Sequence, residues 1–209
     1  MTQLIVYKTI EGILLCTDSA ATMFDGDKIS RVFTVQKLFE ITPNILLATA
    51  GAGYGITLCD LFNDYVQERG LWKYEDISTV ALPFFRSESQ RLNHYYDLSP
   101  ANPDVGRIYF IIAGYLPHAR KQKFRFCLIA SDAPDAPLGF VKVPHFVVIP
   151  RKLLIEYRLN MLPENVSMEE VEKICENLLK KLSLKSEDVA SPFDFARITE
   201  SGIQIRTTE

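Results

Sequence analysis

The 209-residue sequence holds few residues that bind metal or cross-link a chain. Its four cysteines (Cys16, Cys59, Cys127, Cys175) and three histidines (His94, His118, His145) are scattered along its length. With no CxxC pair and no Cys/His cluster, neither a disulfide framework nor a zinc site is signalled, and no metal and no cofactor are expected. The thiols read as buried and free. Long apolar runs are also missing. No stretch approaches the ~18 residues a membrane span needs, and no charged n-region leads into a cleavable apolar segment, so no membrane partner is expected and the chain is read as cytoplasmic. Neither sign of charge dominates: 23 Lys and Arg face 26 Asp and Glu, for a net charge of −3. That balance gives no electrostatic footprint for nucleic acid. Pro/Gly/Ser-rich linkers and charge blocks are absent too, while 47% of the residues are hydrophobic. The expectation is a single domain over residues 1–209 with a substantial core.

Short apolar or β-branched runs predict strands at residues 3–8, 13–18, 37–41 and 45–50, with turns at Glu11-Gly12 and Thr42-Pro43-Asn44. Leu58, Leu61, Phe62, Tyr65 and Val66 recur at helical steps and stop at Gly70. Ile77, Val80, Ala81, Phe84 and Phe85 repeat the pattern, but Pro83 is expected to kink that helix or mark one of its ends. Strands return at 107–114 and 124–131 around a basic tip of His118, Arg120, Lys121 and Lys123, read as a solvated hairpin end. Helical spacing reappears at Leu153, Leu154 and Tyr157. It is clearest from Val171 to Leu182, where Ser167 and Glu170 form a capping box. Strands at 195–199 and 203–206, hinged at Ser201-Gly202, close the chain. This order of elements predicts an α+β fold of two stacked antiparallel sheets with helices outside.

Thr2 carries the sharpest chemical signal. Once Met1 is removed, one residue offers both a hydroxyl and a free α-amine, and the strand that follows would hold them rigidly. A threonine hydroxyl is too weak an acid to attack an amide unaided. An α-amine with an ordinary pKa of about 7.7–8.0 can take its proton near neutral pH. Standing alone, Met1-Thr2 is an ordinary chain start.

Three blocks change that weighting: Gly12-Ile13-Leu14-Leu15-Cys16-Thr17-Asp18-Ser19-Ala20-Ala21-Thr22, Val35-Gln36-Lys37-Leu38-Phe39-Glu40-Ile41, and Leu47-Ala48-Thr49-Ala50-Gly51-Ala52-Gly53. In order, they resemble the N-terminal blocks of proteasome β-subunits, which are N-terminal-nucleophile hydrolases. The Thr2–Asp18 and Lys37–Gly51 intervals match, and a short insertion around Phe24-Asp25-Gly26-Asp27 separates Asp18 from Lys37. The resemblance is strong over the first third, traceable at the C-terminal end and poor between Pro83 and Pro150. It implies a four-layer α-β-β-α sandwich and a threonine peptidase acting on peptide or protein substrates, within a homo-oligomer that in relatives is ring-like.

The resemblance also assigns roles. Thr2 is the nucleophile, Lys37 the cation beside its hydroxyl, and Asp18 the counterion that holds Lys37. Gly51 supplies an oxyanion N–H, while Asp188 and Ser191 orient the amine. The positions lining the first specificity pocket are Ala21, Val35, Phe39, Thr49 and Gly53. None is charged, which implies a neutral or apolar side chain before the scissile bond, because a charge would be desolvated there without compensation. Two departures stand out. Pro150 or a neighbour falls where the family presents a serine, and Ala20 stands where an arginine is usual. Two other outcomes stay open on the same residues. One is a silent structural subunit; the other is a ligase or transpeptidase in which an amine intercepts the Thr2 ester.

Overall fold

Short apolar runs from the N-terminal and C-terminal segments of the sequence form one sheet. A computed structural model describes residues 3–25, 28–96, 107–131, 136–186 and 189–209, divided into two compact units. The first unit joins the N-terminal segment through Leu38 to the segment from Pro144 to Glu209. In it β1 (Leu4–Lys8) and β2 (Ile13–Asp18) pair antiparallel, with Leu4 opposite Thr17 and Lys8 opposite Ile13. The turn between them needs Gly12: at φ 159° its extended backbone passes so close that an added Cβ would lie 2.1 Å from the Ile198 carbonyl oxygen. The hairpin β3 (Ala20–Asp25) and β4 (Lys28–Thr34) follows as a separate two-stranded ribbon, where a short insertion had been read.

The second unit, Phe39–Val143, is built in chain order. It contains β5 (Leu38–Thr42), which starts at the boundary, β6 (Ile45–Gly51), α1 (Tyr54–Glu68), α2 (Tyr74–Tyr96), β7 (Ile108–Tyr115), β8 (Phe124–Ala130) and β9 (Gly139–Val141). Its sheet runs β5-β6-β7-β8-β9. Both helices bury one stripe against it: Leu58, Phe62 and Val66 from α1, and Ile77, Ala81 and Phe85 from α2. Phe85 stacks on Phe110 of β7 with ring centroids 3.8 Å apart. That stripe, at four-residue steps on both sides of Pro83, carries α2 through the proline as one helix of 23 residues. Pro83 therefore marks neither end of the helix, and burial outweighs the ~3 kcal/mol a helix-interior proline costs.

The first unit resumes with β10 (Phe146–Ile149), α3 (Leu153–Asn160), α4 (Met168–Ser183), β11 (Phe193–Thr199) and β12 (Gly202–Thr208). Its sheet order is β10-β1-β2-β11-β12, so β2 from the N-terminal segment meets β11 from the C-terminal segment. Ser167 caps α4 by accepting from Glu170 N–H, as its spacing predicted. Val171, Cys175 and Leu179 of α4 pack with Leu14, Cys16, Phe193 and Phe195 of the sheet. A carboxylate of α4 is buried against the sheet. Glu172, 4% exposed, accepts from Arg197 Nε at 2.5 Å and from Arg206 Nη2 at 2.6 Å, tying α4 to β11 and β12. Glu172→Ala would strip Arg197 of this carboxylate and leave Arg206 with Glu176 alone. Because each guanidinium is about a third to a half exposed and can turn to water, the expected cost is about 2 kcal/mol, below the range for a fully buried pair, and urea unfolding would measure it.

Candidate functional site

The site is organised where the β1–β2 ladder ends. Past the Leu4–Thr17 pair, Asp18 N–H still donates to the Gln3 carbonyl at 3.3 Å, but Gln3 N–H turns to the Asp18 side chain, Oδ1, at 2.7 Å. Asp18 Oδ2 accepts from Ala20 N–H at 3.2 Å and from Lys37 Nζ at 3.3 Å. Lys37 Nζ also donates to the Ala20 carbonyl at 2.5 Å. Asp18 is fully buried and Lys37 only 2% exposed. The two residues that the resemblance paired are therefore in contact, held by backbone groups on both sides.

Burial pushes the Asp18 carboxyl up from its ordinary range, while the Lys37 ammonium and the Gln3 N–H pull it back. Burial likewise draws the Lys37 ammonium down, against the opposing pull of Asp18 and Asp194. For each group the largest influence opposing burial is the other. This arrangement holds a lysine in a dry place beside the start of β1.

A second layer of contacts fixes the segments that carry the pair. Ser19 N–H donates to the Pro192 carbonyl at 3.0 Å, and the Ser19 carbonyl accepts from Val35 N–H at 2.8 Å. Ser19 Oγ donates to Asp194 Oδ2 at 2.8 Å, and Thr207 Oγ1 donates to Asp194 Oδ1 at 2.7 Å. Gln3, Ser19 and Asp194 were not among the residues singled out from the sequence. The position of Gln3, one residue after Thr2, was the available signal for it. Nothing local connects Asp194 with Ser19, 175 positions away.

Thr2 and Asp188 lie outside the described residues. Ser191 is exposed in the segment leading into β11. Gly51 ends β6 with φ 93°, a conformation that favours glycine, and Ala52 N–H donates to the Arg107 carbonyl at 2.8 Å. Among the pocket positions, Ala21 sits on β3 opposite Phe33, and Val35 is half-buried just after β4. Phe39 is 7% exposed within the core of the second unit. Thr49 is buried with its hydroxyl against Gly55 of α1, while Gly53, at the start of α1, is exposed with open space where a side chain would go. Among the described residues, no group of three or more His, Cys, Asp or Glu side chains is placed to hold a metal ion, and no helix is long and apolar enough to cross a membrane.

No protein-family model matches the chain, and no curated protein matches it. Among solved structures it is similar to a Gly-1 mutant of Anbu from Hyphomicrobium sp. strain MC1. The two share 13% identity at a TM-score of 0.72, over 100% of this chain and 86% of that one. At that identity the likeness carries the fold alone, and the fold is proteasome-like, the α-β-β-α sandwich of stacked antiparallel sheets flanked by helices.

Proposed function

We propose that the chain is an N-terminal threonine amidohydrolase that cleaves peptide bonds after removal of Met1. The observation that carries this reading is the buried Lys37–Asp18 pair, anchored to the backbone N–H of Gln3, the residue that follows Thr2. A buried lysine is costly, and its placement beside the chain start serves a nucleophile there.

In the proposed reaction Thr2 Oγ attacks the amide carbonyl carbon while the Thr2 α-amine takes the hydroxyl proton. The tetrahedral oxyanion is received by Gly51 N–H, and Lys37 opposes the negative charge developing on the attacking oxygen. The C–N bond then breaks, the proton passes to the leaving nitrogen, and the acyl group stays on Thr2 as an ester. A water molecule, deprotonated by the same amine, hydrolyses the ester and restores the hydroxyl. Asp188 and Ser191 are assigned to orient the amine. The uncharged set Ala21, Val35, Phe39, Thr49 and Gly53 favours neutral or apolar side chains before the scissile bond.

We place this activity in a single-domain cytoplasmic protein that assembles with copies of itself. Leu153, Leu154, Tyr157 and Met161, each at least 63% exposed on or at the end of α3, supply apolar surface for assembly.

The deciding experiment combines intact mass with an epoxyketone, which closes a ring only with the hydroxyl and α-amine of one residue. The expected result is a chain beginning at Thr2 that takes one adduct, with no adduct on Thr2→Ala. A native chain that keeps Met1 and takes none would leave a structural subunit as the better account.

A further inference from the structure

The single tryptophan of the chain stands on the surface: Trp72 is 63% exposed in the turn, residues 69–73, that joins α1 to α2. That turn is firmly held. Gly70 takes the left-handed region at φ 59°, Leu71 N–H returns to the Val66 carbonyl at 3.1 Å, and the Leu71 side chain packs on the core. Exposed apolar residues occur singly on many surfaces, so the ring alone signals nothing. Its surroundings do.

Two other turns share this end of the second unit. Asn44, between β5 and β6, accepts from Tyr115 N–H at 2.9 Å where β7 ends. Tyr74, two residues after Trp72, donates its hydroxyl to the Ile112 carbonyl at 3.4 Å, and a Cβ added at Gly114 would lie 2.9 Å from its ring. The tip between β7 and β8, residues 116–123, therefore lies beside the Trp72 turn. Arg69, Lys73, Arg120, Lys121 and Lys123 fall in these turns and no Asp or Glu does, in a chain whose net charge is −3. All five are exposed. Arg69 is held over the Tyr65 ring, 4.4 Å from its centroid. Acidic residues return at the margin, where Glu68 ends α1 and Glu75 and Asp76 open α2, with Glu75 paired to Arg125 at 3.4 Å.

We propose that this end of the second unit is a docking site for a short acidic segment of a partner protein, its carboxylates on the basic turns and one apolar side chain against the Trp72 indole. Charge complementarity names the partner. Positive charge gathered on a net-acidic chain selects carboxylates, and the indole on its rigid turn adds the apolar anchor that charge contacts alone lack. The acidic margin limits the segment's length: a long polyanion such as nucleic acid would run off the turns onto Glu68 and Asp76, whereas a short peptide stays within them. The site goes beyond the hydrolase reading and uses none of its residues.

Because Trp72 is the sole tryptophan, its fluorescence reports the site directly. The probe is a short capped peptide of glutamates around one leucine, compared with the same peptide carrying lysines for glutamates and with an oligothymidylate of equal length. Expected is a saturable blue shift with the glutamate peptide alone, with affinity, measured by calorimetry, falling about tenfold as salt rises from about 0.05 to about 0.5 M. Arg120→Glu/Lys121→Glu and Trp72→Ala should each weaken binding about tenfold while melting as wild type does. Absence of saturable binding overturns the proposal, as does equal binding of the lysine peptide. Tighter binding of the oligothymidylate makes this end a nucleic-acid site, and a shift that follows protein concentration without peptide, with dimers in sedimentation, makes it a contact between copies; either overturns it. Binding that survives the charge reversal lies elsewhere and overturns it too. Should the double variant fail to fold, Lys73→Glu carries the charge test. The epoxyketone adduct is expected at wild-type level in every variant, so this site and the hydrolase reading fail separately.

Discussion

Lys37→Met is expected to lower peptide cleavage about 10²–10³-fold, the usual effect of deleting one preorganised stabiliser of developing charge, and to destabilise the fold at the same time. Asp18 would remain fully buried without the ammonium that contacts it. Breaking such a pair costs about 3–5 kcal/mol. The lower end is expected, since Asp18 still accepts from the N–H groups of Gln3 and Ala20.

The sign of the pH dependence separates this loss from a packing defect. Burial already raises Asp18, and Lys37 is the largest influence opposing that rise. In the variant the folded pKa moves higher still, above the unfolded value, so the folded state binds the proton more tightly. Stability is then retained below the ordinary carboxylate range and lost as pH rises through the folded pKa. Denaturant unfolding at acid pH and at pH 8 should therefore show the gap to wild type widening upward. The double variant Asp18→Asn/Lys37→Met should recover much of the stability and none of the activity. A gap that stays constant with pH would mean that the pair carries no charge-based role.

The Asp18–Lys37 contact was legible through the resemblance of the three sequence blocks, since their spacing is broken by an insertion. A buried carboxylate and a buried lysine have few ways to be satisfied except by each other. The flanking strands were legible from the residues themselves: β1, β2 and β6 run apolar over five to seven residues and end at polar or glycine positions. The β3–β4 ribbon was not. Its sequence, with Asp25, Lys28 and Arg31 among apolar residues, has no clean period, and its pairing shifts register between Met23 and Phe24. That helix α2 does not end at Pro83 was not legible, since burial that holds it comes from β7, more than twenty residues later. Asp194 was invisible for a related reason. On β11 it is one polar residue between Phe193 and Phe195, and the pairing of β11 with β2 gives it Ser19 as a partner.

Gly51→Ala is the second change with a large expected effect, and it bears on how the oxyanion role can be tested. At φ 93° an L-residue is strained, and a Cβ would lie 2.0 Å from the Arg107 carbonyl oxygen, inside any permitted contact. That carbonyl is not a flexible side-chain end. It accepts from Ala52 N–H at 2.8 Å, so moving it breaks the hydrogen bond that leads the chain from β6 toward α1. Strain, clash and a lost backbone bond together place the cost above ~4 kcal/mol, in the diagnostic tail for single substitutions. The expected result is loss of a cooperative melt or of soluble protein, so inactivity of this variant says nothing about catalysis. Gly53→Ala supplies the contrast two residues on. Gly53 has helical angles of φ −60° and ψ −30°, and an added Cβ meets nothing within 4 Å. Alanine fits there without strain, at a change of only a few tenths of a kcal/mol, because the cost of losing glycine at a helix start offsets the gain from restricting the unfolded chain. A folded Gly53→Ala protein with altered preference for the residue before the scissile bond would support Gly53 as a pocket position, whereas unchanged preference would remove it from that set.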